Sequence, residues 1–291
     1  AGVSQAFAQA NYPAKPVRMI IASTPGAPSD VLARPVMQQL GSMLGHPFII
    51  DYKPGANSVI GVDYVAKSPP DGYTMLIFGS SFTINPSTQK ALPFDTLKHF
   101  TAVSPLGRSD IVLVVHPGVT ARSVRELVEL AKSRPGRLAF ASTGNGGSPH
   151  LAGELFKIMT GTDVTHVPYK GAGPAIQDVV AGTVVMSFVG AAGAVPLIKA
   201  DKLRVLGVAS LSRAAYLPDV PTISEQGLAN FEVISYYGIT TPAATPKPVI
   251  ATLHAAIQKV LAMPDTRQVL THGGVDPWSL RPEEFQSWLV A

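Results

Sequence analysis

Short apolar runs alternate with helical patterns along most of this chain. After Pro16, VRMIIAS (17–23) is apolar without polar alternation, as expected of a strand covered on both faces. Turn residues follow (TPGAPS), then a helical period from Asp30 to Leu44. HPFIIDY predicts a second strand, Ser58 to Lys67 a second helix, and YTMLIFGS (73–80), after the turn signal PPDG, a third strand. The pattern resumes with the strand DIVLVVHP (110–117) and a helix opened by the capping box Ser123-Val124-Arg125-Glu126 and running through Lys132. RLAFAS is a strand, and HLAGELFKIMTG a helix with Gly161 at its C′ position. DVTHVPY is a strand, PAIQDVVAG a helix with Pro174 at its first position and Gly182 past its end, and TVVMSFVG and KLRVLGVAS are further strands. PKPVIATLHAAIQKVLAM sets Val249, Ile250, Leu253, Ile257, Val260 and Leu261 on one helical face. Pro35 lies inside the first helical pattern, where it removes a hydrogen bond, so a kink or a late helix start is expected there.

Strands alternating with helices predict βαβ units and parallel sheets, hence an α/β fold. The order of elements suggests two sheets and two α/β domains. Residues 11–103 together with 231–291 form the first, and residues 104–230 the second. Residues 1–10, AGVSQAFAQA, contain the A-x-A pattern Ala6-Phe7-Ala8, like the end of a secretory signal whose charged and apolar parts are missing. An unstructured terminus is the alternative; the signal reading makes the protein an exported one.

Three loops share one design: a strand, a short stretch of Gly, Ser, Thr and Pro, then a helix start. They are STPGAPSD (23–30), STGNGGSPH (142–150) and YKGAGPA (169–175). In a parallel sheet such loops lie at the C-terminal edge of the strands, where open α/β folds bind ligands. Unpaired N–H groups at a helix start favour an anion, and glycine lets it approach the backbone. A carboxylate fits better than a phosphate, because neither G-x-x-x-x-G-K-[ST] nor G-x-G-x-x-G occurs.

Composition narrows the classes. Hydrophobic residues make up 46% of the 291 and charged residues 14%, well under the roughly 25% of ordinary soluble domains. No apolar stretch reaches the ~18 residues of a membrane span. The net charge of +4 is scattered, without a basic run or aromatic interleaving, so it reads as an ordinary basic surface and not a nucleic-acid footprint. The chain has no cysteine, which removes disulfides, thiol nucleophiles and thiolate metal sites. His46, His99, His116, His150, His166, His254 and His272 never fall in a metal-ligand spacing, and no G-x-S-x-G or H-E-x-x-H occurs. His150 is either a ligand contact or a local hydrogen-bonding residue. Asp30 is either a base or a helix-start carboxylate. Ser80 and Ser81, after the third strand, either touch ligand oxygens or form a polar turn.

Several stretches, taken together and in order, resemble one family: YPAKPVRMIIASTPGAPSDVLAR, KPGANSVIGVDYVAKSPPDGYTMLIFGSS, INPS, GNGGSPHLAGELF, VPYKGAGPAIQDVVAGTV, LPDVPTISEQG and YYGITTPAATPKPVI. From Tyr12 onward the chain is similar to the periplasmic substrate-binding proteins of tripartite tricarboxylate transporters, the Bug-type or TctC-like family. The resemblance implies a type II periplasmic-binding-protein fold, with two α/β domains closing on a small organic anion. It implies no cofactor, no metal and no catalysis. It also implies membrane transporter subunits as partners, a periplasmic location, and a hinge near residues 103–108 and 227–236; a monomer is the default. By position it assigns Ser23, Thr24, Gly26, Ala27 and Asp30 from the first loop, and Thr143, Asn145, Gly146, Ser148 and His150 from the second. Ser80 and Ser81 match a serine pair, and Gly171, Ala172 and Gly173 a third loop. Two departures matter. The first loop, usually F-P-P-G-G, reads Ser23-Thr24-Pro25-Gly26-Ala27. Where amino-acid-binding members carry an aspartate, this chain has Val189-Gly190-Ala191-Ala192. With Val189, Gly190 and Tyr236 as wall residues, a dicarboxylate or aromatic carboxylate is expected and an amino acid is not. An α/β enzyme acting on a carboxylate or ester, or a sensory binding protein, are the alternatives.

Overall fold

The computed structural model describes residues 12–25, 27–214, 216–272 and 274–290. The expected leader remnant in residues 1–10 and the site residue Gly26 lie outside them. Along the chain run β1 (Val17–Ile21), α1 (Pro28–Leu44), β2 (Phe48–Tyr52), α2 (Val59–Ala66), β3 (Thr74–Gly79), α3 (Ser81–Thr88) and the long β4 (Phe100–Val115). Next come α4 (Val124–Ser133), β5 (Leu138–Ser142), α5 (Ser148–Thr160), β6 (Val164–Pro168), α6 (Ala172–Val180), β7 (Met186–Gly190), α7 (Ala191–Lys199) and β8 (Arg204–Val208). The chain closes with β9 (Ile234–Pro242), α8 (Lys247–Ala262), α9 (Pro264–His272), β10 (Asp276–Pro277) and α10 (Pro282–Val290). Two compact units result: one up to Arg108 and again from Tyr236, the other Ser109–Ser235.

In the first unit β1 lies between β2 and β3, parallel to both, and β9 adds antiparallel to β3. The pairing Ile21↔Ile77 brings the ends of β1 and β3 to the same level, so Ser23 and Ser80 emerge from one sheet edge. One face of that sheet is buried by α1 and α8 through Leu32, Val36, Leu40, Leu253, Ile257 and Val260. A late helix start at Pro35 does not occur: the helix starts at Pro28, before Asp30, and is helical through Pro35. Pro28 supplies the preset φ of a helix start. The buried residues on both sides of Pro35 hold the turn despite its missing N–H.

In the second unit β5 lies between β6 and β7, parallel to both, and β4 runs antiparallel to β7 and β8. Ser142↔Pro168 pairing sets the loops after β5 and β6 side by side. The capping box forms: the Glu126 N–H donates to Ser123 Oγ at 3.2 Å. Gly161 closes α5 in the left-handed region, φ 64°. Helix α6 begins at Ala172, so Pro174 is its third residue and not its first. Four helices and a strand lie outside the sequence pattern: α3, α7, α9, α10 and β9, and β4 starts ten residues before the apolar run at 110–117. α3 and α7 each carry an internal proline, Pro86 and Pro196, and follow their strands with at most one residue between. Both features mask a helical period.

Gly153 lets α5 sit against β5. A Cβ there would lie 2.1 Å from Phe140 Cε2, well inside contact distance. Gly153→Ala is therefore expected to lower stability by about 1–3 kcal/mol, read from urea unfolding, because the buried ring has nowhere to move.

Candidate functional site

Each unit contributes a half-site at the C-terminal edge of its parallel strands. In the first unit the loop after β1 turns through the Ala27 N–H to Thr24 C=O bond (3.2 Å) into α1, whose N-cap, Ala27, offers no side-chain oxygen. No side chain caps the turn; Pro28 carries no N–H, and the Asp30 N–H donates to the Ala27 carbonyl at 2.9 Å. Ser23 and Ser29 share a hydroxyl hydrogen bond of 2.8 Å. With Ser58 and Ser81 they border a space of about 30 Å³, enough for one or two waters. Asp30 is 1% exposed, and its carboxylate accepts from Tyr52 Oη (2.6 Å) and from Arg34 (3.0 Å). Its role here is to fix the first turn of α1 against β2, and the hydrogen bond to Asp30 raises the Tyr52 phenol above its ordinary range.

Behind this loop stand three consecutive non-glycine residues with positive φ: Ala56 (47°), Asn57 (50°) and Ser58 (76°). Such backbone costs of order 1 kcal/mol per residue and persists only where neighbours impose it. The constraint comes from Asn85, buried in α3. Its Oδ1 accepts from Asn57 Nδ2 (2.7 Å) and its Nδ2 donates to the Asn57 carbonyl (2.9 Å). Ser80 precedes α3 without a side-chain bond to its first turn, and its Oγ accepts from the Tyr236 N–H at 3.3 Å. The Tyr236 side chain is buried: its hydroxyl meets Thr83, and its ring packs edge-on against Phe78 and Trp288. Trp288 in turn meets Trp278 edge-on at 4.7 Å. The Tyr236 ring is thus largely buried, with its hydroxyl at Thr83, whose own hydroxyl donates to the Ser80 carbonyl at 3.2 Å.

In the second unit the loop after β5 uses Gly144 (φ 131°) and Gly146 (φ 75°) to reach the start of α5. The Gly146 N–H donates to His150 Nδ1 at 3.1 Å, tying the loop to the helix it precedes. His150 stacks on His166 at 4.1 Å, and His166 stacks on Phe140 at 4.8 Å. Ser142, fully buried, donates to the Gly144 carbonyl (3.1 Å) and accepts from the Gly144 N–H (3.2 Å). Its Oγ also lies 2.6 Å from His166 Nε2, which ties the imidazole to the loop. Thr143 is half-buried, Asn145 exposed and Ser148 buried. The third loop places Gly171 at the N-cap of α6 with φ 111°, ahead of Ala172. A Cβ at Gly171, Gly173 or Gly190 would meet nothing within 4 Å, so their backbone is open to approach. Val189 differs: its side chain is buried among Val112, Val114 and Ala141 and forms core, not wall. Among the described residues no cluster of three His, Cys, Asp or Glu could hold a metal, and no helix is long and apolar enough to cross a membrane. Sequence reasoning misses His166, Asn57, Asn85, Ser29 and Ser58. Ser58 and Asn57 carry a signal in the run of turn-forming residues after Pro54, whereas His166 sits mid-strand and carries none.

Burial, and then the neighbouring His150, push the His166 imidazole down to about 4. Its ordinary value of 6.5 applies to the unfolded chain, so between those pH values the unfolded state holds the proton that the folded state refuses. Stability should therefore fall as pH drops from 6.5 towards 4 and level off below. The urea midpoint followed over this range should show that fall, and His166→Gln should flatten it.

Residues 32–289 match the model of the tripartite tricarboxylate transporter family receptor, TctC. Protein BugT of Bordetella pertussis is 32% identical, over 100% of this chain and 90% of its own. A protein encoded in the tcbD-tcbE intergenic region of Pseudomonas sp. strain P51 is 35% identical over 94% of this chain and 81% of its own. Among solved structures, an R. palustris protein with adipate superposes with a TM-score of 0.87 at 30% identity, covering 96% of this chain and 94% of that one. MatC from Rhodopseudomonas palustris with bound malate gives 0.83 at 28%, covering 96% of each. The chain therefore belongs to the tripartite tricarboxylate transporter receptor family, as a solute-binding protein of the periplasmic-binding-protein fold and not an enzyme.

Proposed function

We propose that this receptor captures a small organic carboxylate lacking an ammonium group and delivers it, in the periplasm, to membrane subunits of a tripartite tricarboxylate-type transporter. In this reading the loops of each unit offer donors to the acid, and the chain passes from one unit to the other at residues 108–109 and 235–236. The observation that carries the proposal is the set of three helix starts, at Pro28, Ser148 and Ala172, each entered from a strand end through a loop rich in small residues. Such starts offer an acid group oriented N–H donors and partial positive charge without any cationic side chain. The binding of adipate and of malate by two related proteins supports the ligand class.

The exclusion of amino acids rests on the end of β7 and the start of α7. Val189 is committed to the core, and Gly190 and Ala191 carry no acid. An ammonium desolvated there would lack a partner, which costs several kcal/mol. A panel of adipate, malate, benzoate and glutamate, followed by thermal shift and calorimetry, tests the reading. At a hundred times its dissociation constant a bound acid should stabilise the fold by about 2.7 kcal/mol, with glutamate giving no shift. Gly173→Phe, which enters open space, should abolish that shift and leave the ligand-free melting temperature near its original value. Tight glutamate binding with no binding of the other acids would overturn the proposal.

A further inference from the structure

The first unit contains a groove of about 790 Å³ that shares no residue with its half-site. It lies between the first turns of α8 and α10 and over the start of β4. Its apolar floor is Phe100, Ala102 and Ile250, with Ala251 on the α8 wall and Leu97, half exposed, at the edge. A volume of this size is in the range of small-molecule sites, which combine an apolar lining with a few fixed polar groups.

The polar groups here have distinct commitments. Lys98 and Arg281 stand at the rim but are already paired, with Asp95 at 3.2 Å and with Glu284 at 2.7 Å. Lys247, on the first turn of α8, makes no ion pair among the described residues. Glu283 is the one carboxylate on the lining. Gln286 spends its oxygen on the Ala102 N–H (2.8 Å) and keeps its NH₂ group. His254 donates through Nδ1 to the Val103 carbonyl at 3.1 Å, and burial lowers its affinity for a proton. The groove thus offers one uncommitted cation and one amide donor beside an apolar trough. From Lys247 to His254 the α8 wall is about 10 Å long.

We propose that this groove is a second ligand site, taking a monocarboxylate with an apolar chain or ring: the carboxylate at Lys247 and Gln286, the body along Phe100, Ile250 and Ala251. One free cation suits a single acid group, and the trough suits a medium-length chain. The site stands independently of the reading of the two half-sites.

Octanoate titrated calorimetrically into the full chain carrying Gly173→Phe tests it, since that substitution obstructs the half-site of the second unit. Saturable binding of one octanoate is expected. Lys247→Glu and, separately, Ala251→Trp should each weaken it by about tenfold or more. Both positions are exposed, and thermal melts establish that each variant is folded. Octanol should bind more weakly than octanoate by a similar factor. Absence of saturable heat, binding indifferent to both groove substitutions, or binding lost with Gly173→Phe alone overturns the proposal. So does sedimentation showing a dimer of the unsubstituted chain that Ala251→Trp dissociates, because the groove would then be occupied by a second copy.

Discussion

A helix start carries N–H groups that no turn of the helix can satisfy, and a parallel sheet sends every strand-to-helix connection out of the same edge. This constraint shapes both units. β1 and β3 end level with each other, as do β5 and β6, and the chain spends its glycines, serines and threonines where they end. Cores of branched and aromatic side chains on both faces hold the strands so that these ends stay aligned.

The loops themselves are fixed by polar residues that do not face outward. Asp30 is occupied by Arg34 and Tyr52, Asn85 holds the left-handed turn at Asn57, and Ser142 braces the loop after β5 while His166 braces Ser142. Each bond of this kind contributes little net stability when made, yet leaves a buried group unsatisfied when broken. The first unit relies on a buried carboxylate and an amide pair for this, the second on a stacked imidazole pair. In the second unit the lowered His166 imidazole makes that brace respond to mild acid.

Much of this is legible in the residues. The α/β class, most strands, the capping box at Ser123 and the glycine stop at Gly161 come from local patterns that tertiary packing has no reason to override. The three loops are legible for the same reason, since small residues between a strand and a helix leave few conformations. The illegible features depend on partners far along the chain. Tyr236 reads as a wall residue, and Phe78 and Thr83, more than a hundred and fifty residues earlier, draw its side chain inward. Val189 reads as equally available until β4 and β5 cover it. α3 and α7 are hidden by their own prolines.

The clustering of Trp278 and Trp288 with Tyr236 has an optical consequence. These are the chain's two indoles, and both belong to the unit formed by the chain's two ends. Emission excited at the red edge of protein absorbance reports on that unit by itself, and the central segment contributes only phenols and phenyl rings. A melt recorded that way describes half of the molecule; amide circular dichroism on the same sample reveals whether the other half unfolds at the same temperature.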